Sequence, residues 1–168
     1  MKHIEYLDLP KVPESIIQPT KAILQKQSTH PYAKPINSDL NDWLNNMFGR
    51  EITACYQIIG EILPGLAPHK DRNGRIRGYN YIIQTGGNNV YTTTYDQSMN
   101  IVDEVVLEPN RWHRLDTGEW HSVHGIGVND IRIAITVTYP EDILAPPINY
   151  NPLGFNTKEW YASKFSEL

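Results

Sequence analysis

The chain has 168 residues, 40% hydrophobic and 20% charged, with 12 prolines, 11 glycines and 10 tyrosines; this turn-rich globular profile excludes disorder, collagen and coiled coil and is large enough for one real core. Lysine and arginine number 15 against 19 acidic residues, a net charge of −4, so no nucleic-acid or anionic-membrane partner is expected. The lone cysteine, Cys55, excludes an intrachain disulfide and a cysteine-based zinc site, and with no membrane-length apolar run and no signal core after Met1 the expected location is the cytoplasm.

Along the chain, residues 1–50 read as a helical or irregular region. A helix is expected between Glu14 and Gln27, bent at Pro19. A clearer one runs from Ser38 to Phe48, where Leu40, Trp43, Leu44, Met47 and Phe48 recur with helical spacing, Asn37 or Ser38 serves as N-cap and Gly49 as the stop. From 51 to 139 the texture changes to short β-type runs, Ile52–Ile59, Leu66–His69, Ile76–Gln84, Val90–Tyr95, Ile101–Leu107, Arg111–Leu115, Glu119–Gly125 and Ile131–Tyr139. Turn signals such as Pro64-Gly65, Asn73-Gly74, Pro109-Asn110 and Thr117-Gly118 separate them. Short strands at this spacing, with no helix between them, predict a sandwich or barrel and exclude a doubly wound parallel sheet. A proline-rich tail, 140–168, ends in a short helix carrying Trp160, Tyr161 and Phe165, and all three regions belong to a single domain. Three aromatics on so short a helix are expected to dock over the barrel mouth or on a second subunit, giving a homodimer through this segment.

The last β-run has two unlike faces. Ile131, Ile133, Ile135, Val137 and Tyr139 fall on one side, and Arg132, Ala134, Thr136 and Thr138 on the other. The apolar side is expected under the N-terminal helices, with Arg132, Ala134 and Thr136 turned into the barrel mouth, where a buried arginine needs an anion.

His69 and Asp71 share a face if the segment stays extended, and that pair suits a hard-to-borderline divalent metal. A histidine about fifty residues later in a strand, followed by an arginine eleven positions on in the next strand, completes a pattern of two histidines, one carboxylate and one anion-binding group. Two histidines and a carboxylate form the facial triad, which leaves three metal positions open and points to non-haem Fe(II) with O₂ and a bidentate cosubstrate. By composition the second histidine is His121 or His124, which in an unbulged strand face opposite ways.

The runs His69-Lys70-Asp71, Asp116-Thr117-Gly118-Glu119-Trp120-His121-Ser122-Val123 and Arg132-Ile133-Ala134-Ile135 together resemble the signature of Fe(II)/2-oxoglutarate-dependent oxygenases on the double-stranded β-helix. Leu63-Pro64-Gly65-Leu66-Ala67-Pro68-His69, followed by Gly74-Arg75-Ile76-Arg77, is most similar to the aspartyl/asparaginyl β-hydroxylase branch. The likeness spans about Ile52 to Pro140. It implies an all-β, cupin-like jelly roll with N-terminal helices packed on one sheet. It implies His69, Asp71 and His121 as ligands of Fe(II) and catalytic centre, and Arg132 as partner of the distal carboxylate of 2-oxoglutarate. Spacing to Arg132 and the small neighbours Val123 and Gly125 select His121, leaving His124 packed or on the surface. Ala134 stands where the family often has Ser or Thr, so Thr136, Tyr56, Tyr81 or Tyr91 would supply the hydroxyl. Arg77 matches a cosubstrate-binding arginine once one residue is gapped after Asp71.

Asn80, with Tyr79 and Tyr81, either orients cosubstrate or packs, as strand tyrosines commonly do. Trp112 and Trp120 are expected in the core or at its rim; Lys70, Arg72, Arg75 and Arg77 on a solvated hairpin; and His113 facing solvent. The expected function is hydroxylation of an amino-acid side chain, free or in a peptide, with release of succinate and CO₂. A cupin-like isomerase or epimerase, or a non-catalytic ligand-binding jelly roll, is the rival reading.

Overall fold

The structure is a computed structural model that describes residues 2–17, 33–60, 65–71 and 74–144. The strands, in chain order, are β1 (Ile4–Leu7), β2 (Ala33–Pro35), β3 (Thr53–Gly60), β4 (Gly65–His69), β5 (Gly78–Gln84), β6 (Tyr91–Tyr95), β7 (Ile101–Val106), β8 (Trp112–Leu115), β9 (Trp120–His124) and β10 (Ile131–Thr138). One helix, α1 (Ser38–Phe48), precedes β3. The expected tail helix with Trp160, Tyr161 and Phe165, and most of the helix bent at Pro19, lie outside the described residues; residues 14–17 form a helical turn. No helix among the described residues is long and apolar enough to cross a membrane.

Two antiparallel sheets face each other, one ordered β1-β8-β5-β10-β3-β2 and the other β4-β9-β6-β7. The core strands alternate between the sheets in the manner of a jelly roll, so this is the double-stranded β-helix that the strand pattern and the motif anticipate. The eight strands expected between Ile52 and Tyr139 all form. The two short edge strands β1 and β2 come from the region expected to be helical or irregular. Each is stable only through its neighbour: Ile4 to Leu7 pairs with β8, and Ala33 to Pro35 pairs with β3 at a sheet edge, where a proline costs no ladder hydrogen bond.

Local chemistry sets the boundaries. The Asn37 side chain accepts from the Leu40 N–H at 2.9 Å at the start of α1, and Gly49 ends the helix in the left-handed region at φ 61°. Gly125, at φ 86°, follows β9 where a Cβ would sit 2.3 Å from the Asn89 carbonyl oxygen, so only glycine lets the chain leave the sheet there.

The main core lies between α1 and the outer face of the six-stranded sheet. Leu40 and Leu44 of α1 pack with Ile131, Ile133, Ile135 and Val137 of β10, together with Tyr81 and Trp112. Trp112 places its ring edge-on to Phe48 at 5.6 Å and donates its indole N–H to the Pro10 carbonyl at 2.9 Å. All eight residues of β10 are buried, on both faces. The face carrying Arg132, Ala134 and Thr136 therefore turns inward between the sheets, as the alternation predicts. Ile135 is fully buried, so Ile135→Ala should lower unfolding free energy by about 2–5 kcal/mol, read from chemical denaturation; a loss below about 1 kcal/mol would show that this strand is not the centre of the core.

Candidate active site

His69 ends β4 and His121 sits in β9, and the two are direct cross-strand partners despite an irregularity in the register between Leu66 and His69. Their ring centroids are 4.3 Å apart. Each ring is held by its own backbone: Nδ1–H of His69 donates to the Ala67 carbonyl at 2.8 Å, and Nδ1–H of His121 donates to the Glu119 carbonyl at 2.9 Å. Both therefore present the Nε2 lone pair to the same space, the tautomer a metal ligand needs. Asp71 Oδ1 completes the group, 3.7 Å from His69 Nε2 and 3.5 Å from His121 Nε2. One ligand atom from each of the three residues lies within 4.8 Å of the other two.

The carboxylate is held in turn by Arg75, which pairs with Asp71 Oδ2 through Nε and Nη2. Burial by itself would raise the Asp71 carboxyl, but His121, His69 and the charge of Arg75 outweigh it and hold the group well below the usual carboxylate range. Burial and the neighbouring His69 pull His121 down against the opposing pull of Asp71, which keeps its ring neutral near pH 7. Two imidazoles with fixed lone pairs and an ionised carboxylate, whose Oδ2 is held by Arg75 and whose Oδ1 faces the two rings, fit a divalent first-row metal.

The cavity beside them is partly open to solvent and is lined from both sheets. His69, Asp71 and His121 lie along its wall, and Arg132, Asn80 and His113 share it. Arg132 is only 6% exposed; burial lowers it to about 10, so it stays protonated at neutral pH. Its Nη2 donates to Thr92 Oγ1 at 3.1 Å, and it forms no ion pair among the described residues. Thr136 is also on the inward face, with its hydroxyl donating to Asn80 Oδ1 at 2.7 Å.

Other expected participants lie elsewhere. Arg77 pairs with Asp142 at 3.2 Å and approaches Asp116 at 3.8 Å, tying the residues before β5 to the segment after β10 rather than lining the cavity. Tyr56 and Tyr81 pack in the core beneath α1, and Tyr91 stacks on His124 with centroids 5.3 Å apart, so none offers its hydroxyl to the cavity. His124 faces the other side of its sheet, 2.9 Å from Thr93 Oγ1 and 3.4 Å from Glu104. Trp112 and Trp120 are both buried.

Arg75 and His113 also differ from the sequence reading. Arg75 is not on a solvated hairpin but is spent on Asp71. His113 does not face solvent: it is 1% exposed and lines the cavity, because its neighbour Trp112 takes the core-facing side of β8 and strand alternation turns His113 inward. The signal available for His113 was that alternation, once Trp112 is assigned to the core.

No family model matches the chain, and no curated protein matches it in sequence. Solved structures do resemble it. A prolyl-4-hydroxylase from Pseudomonas putida aligns over 82% of this chain and 92% of its own, at 10% identity and a TM-score of 0.51. An oxidoreductase of the 2OG-Fe(II) oxygenase family from Burkholderia pseudomallei aligns over 84% and 63% at 13% identity and a TM-score of 0.45. An oxalate decarboxylase variant from Bacillus subtilis aligns over 71% and 30% at 10% identity and a TM-score of 0.43. At such identity the first likeness speaks for the shared fold.

Removing an outer partner of a metal ligand costs roughly 10–100-fold in affinity, and losing a ligand should cost more. In Mn(II) titrations, His121→Ala should therefore weaken binding by more than about 100-fold and Arg75→Gln by about 10-fold, while His124→Ala stays within a few-fold of wild type. Weakening by His124→Ala and not by His121→Ala would reverse the assignment of the ligand.

Proposed function

We propose that this protein is an Fe(II)- and 2-oxoglutarate-dependent oxygenase that hydroxylates an amino-acid side chain, free or within a peptide, and releases succinate and CO₂. The observation that carries the reading is the placement of a histidine–aspartate–histidine cluster and a buried arginine, without an ion pair among the described residues, on one cavity between the two sheets. A ligand-binding jelly roll needs no such cluster, and a cupin-type isomerase needs no buried arginine beside it.

His69, Asp71 and His121 would hold the metal on one side, with Arg75 keeping Asp71 Oδ1 aimed at it. Fe(II), when bound, supplies the activation of O₂ that couples oxidative decarboxylation of 2-oxoglutarate to oxygen insertion into a C–H bond. The chain does the positioning. Arg132 pairs with the distal carboxylate of 2-oxoglutarate, its charge secured by a planar fork that suits a carboxylate. Ile59, Ile82, Leu115 and Val123 line the cavity around these groups and keep water from the bound acid. The amino-acid substrate class follows the similarity of the segment 63–77 to the aspartyl/asparaginyl β-hydroxylase branch.

Removing one side of a buried charge-assisted pair costs about 2–5 kcal/mol. Arg132→Ala should therefore raise the 2-oxoglutarate concentration needed for half-maximal succinate formation by at least about 30-fold and leave Mn(II) affinity near normal, with Arg132→Lys recovering part of the loss. Unchanged 2-oxoglutarate dependence in Arg132→Ala would place the anion clamp elsewhere, and iron-loaded wild type that forms no succinate from 2-oxoglutarate would sink the oxygenase reading.

A further inference from the structure

One buried group in the cavity has no role in the scheme above. His113, in β8, is 1% exposed, and its Nδ1 meets no hydrogen-bond partner among the described residues. It shares the cavity wall with Arg132, whose positive charge, added to burial, pulls the imidazole down to about 3. The ring is therefore neutral and keeps one N–H to give. On the Arg132 side, Nη2 donates to Thr92 Oγ1 at 3.1 Å, and Ala134, two residues on, offers no hydroxyl. Thr136, whose hydroxyl would be the next choice on that strand, donates to Asn80 instead.

Buried polar atoms in native proteins are nearly always hydrogen-bonded. An arginine without an ion pair and a histidine with an unpartnered ring nitrogen among the described residues, both lining one cavity, are together unfavourable unless an acceptor reaches both. A carboxylate satisfies both: it neutralises the guanidinium and accepts the N–H. Resting on the oxygenase reading for the identity of the acid, we propose that His113 donates a second hydrogen bond to the distal carboxylate of the 2-oxo dicarboxylic acid held by Arg132, in place of the hydroxyl that Ala134 lacks. His113 is thus a specificity residue for acids with a carboxylate at both ends.

The test compares two acids on Mn(II)-loaded protein by calorimetry: 2-oxoglutarate, and 2-oxopentanoate, which has the same metal-chelating end and no distal carboxylate. His113→Leu should weaken 2-oxoglutarate about tenfold while leaving 2-oxopentanoate within about twofold, and His113→Gln, which keeps a neutral donor, should stay within about threefold for both. Equal weakening of the two acids would mean a merely structural role and overturn the proposal, as would wild-type affinity in His113→Leu. If His113→Leu does not fold, imidazole ¹⁵N spectra of the wild type decide: a protected N–H at His113 appearing with 2-oxoglutarate and not with 2-oxopentanoate sustains the proposal, and an unmoved His113 overturns it. Wild-type protein that binds no 2-oxoglutarate defeats the oxygenase reading separately. Titration of the metal-free protein with glutarate then judges His113, since binding that His113→Leu loses supports its role, and no binding, or equal binding, ends it.

Discussion

β10 is buried on both faces, and that double burial constrains everything around it. It lies between β5 and β3 near the middle of the six-stranded sheet, paired along its length with β3 from Ile131↔Gly60 to Thr138↔Thr53. A strand so placed cannot slip by one residue. A slip would push Ile133, Ile135 and Val137 into the cavity and drive Arg132 into the apolar layer under α1. The register that secures the core thus also aims the guanidinium, and the site inherits its geometry from the largest block of apolar burial in the molecule.

The electrostatics of the cavity follow from what that register encloses. Asp71 and Arg75 nearly cancel as an ion pair, and the two histidine rings are held by backbone carbonyls in the arrangement that turns Nε2 of each toward Asp71. Arg132 is left as the excess charge. A divalent metal on the histidine–aspartate side would add to that excess, so the completed site would hold a dianion more readily than a monoanion and a neutral ligand least of all. With a metal in place, it and the arginine would form the two ends of one trap for an acid with separated carboxylates, and low polarity between them would strengthen both attractions.

Much of this was legible in the sequence because it depends on period-two alternation and on turn residues. The eight strands from β3 to β10 fall within a residue or two of the expected limits, α1 has the expected cap and stop, and Arg132 faces inward as its alternation requires. What was not legible required knowing which faces are covered. Alternation separates Trp112 from His113 but does not say which of them meets solvent; both sides of β8 are covered, so neither does. Tyr56 and Tyr81 were equally ambiguous until α1 was seen to cover their side of the sheet. β1 and β2 carry too few residues for any periodicity and exist through pairing with β8 and β3. Arg75 is four residues from Asp71 with no helix there among the described residues, and that spacing predicts contact only on a helix.

Among the three residues of the histidine–aspartate–histidine cluster, Asp71 is the one outside a regular strand, and its support shows how a jelly roll fixes a carboxylate beyond a strand end. His69 and His121 are held by the β4–β9 ladder. Asp71 depends instead on its backbone N–H, which donates to the Thr117 carbonyl at 3.0 Å, and on Arg75. Arg75 is fixed from two sides: Thr117 Oγ1 donates to its carbonyl at 3.0 Å, and its backbone forms an isolated bridge with Ile143. Flanking residues continue the attachment, with the Ile76 N–H donating to the Asp142 carbonyl and the Leu144 N–H to the Gly74 carbonyl, both at 2.9 Å, while Arg77 pairs with the Asp142 side chain. The short turn after β10 thus clamps the residues from Gly74 to Arg77, and through Arg75 it supports Asp71. Arg77, which the resemblance assigned to cosubstrate, acts on the metal side of the cavity through this clamp. The geometry of the carboxylate ligand accordingly rests on chain beyond the last barrel strand, so the segment after β10 bears on the site even where it contributes no ligand.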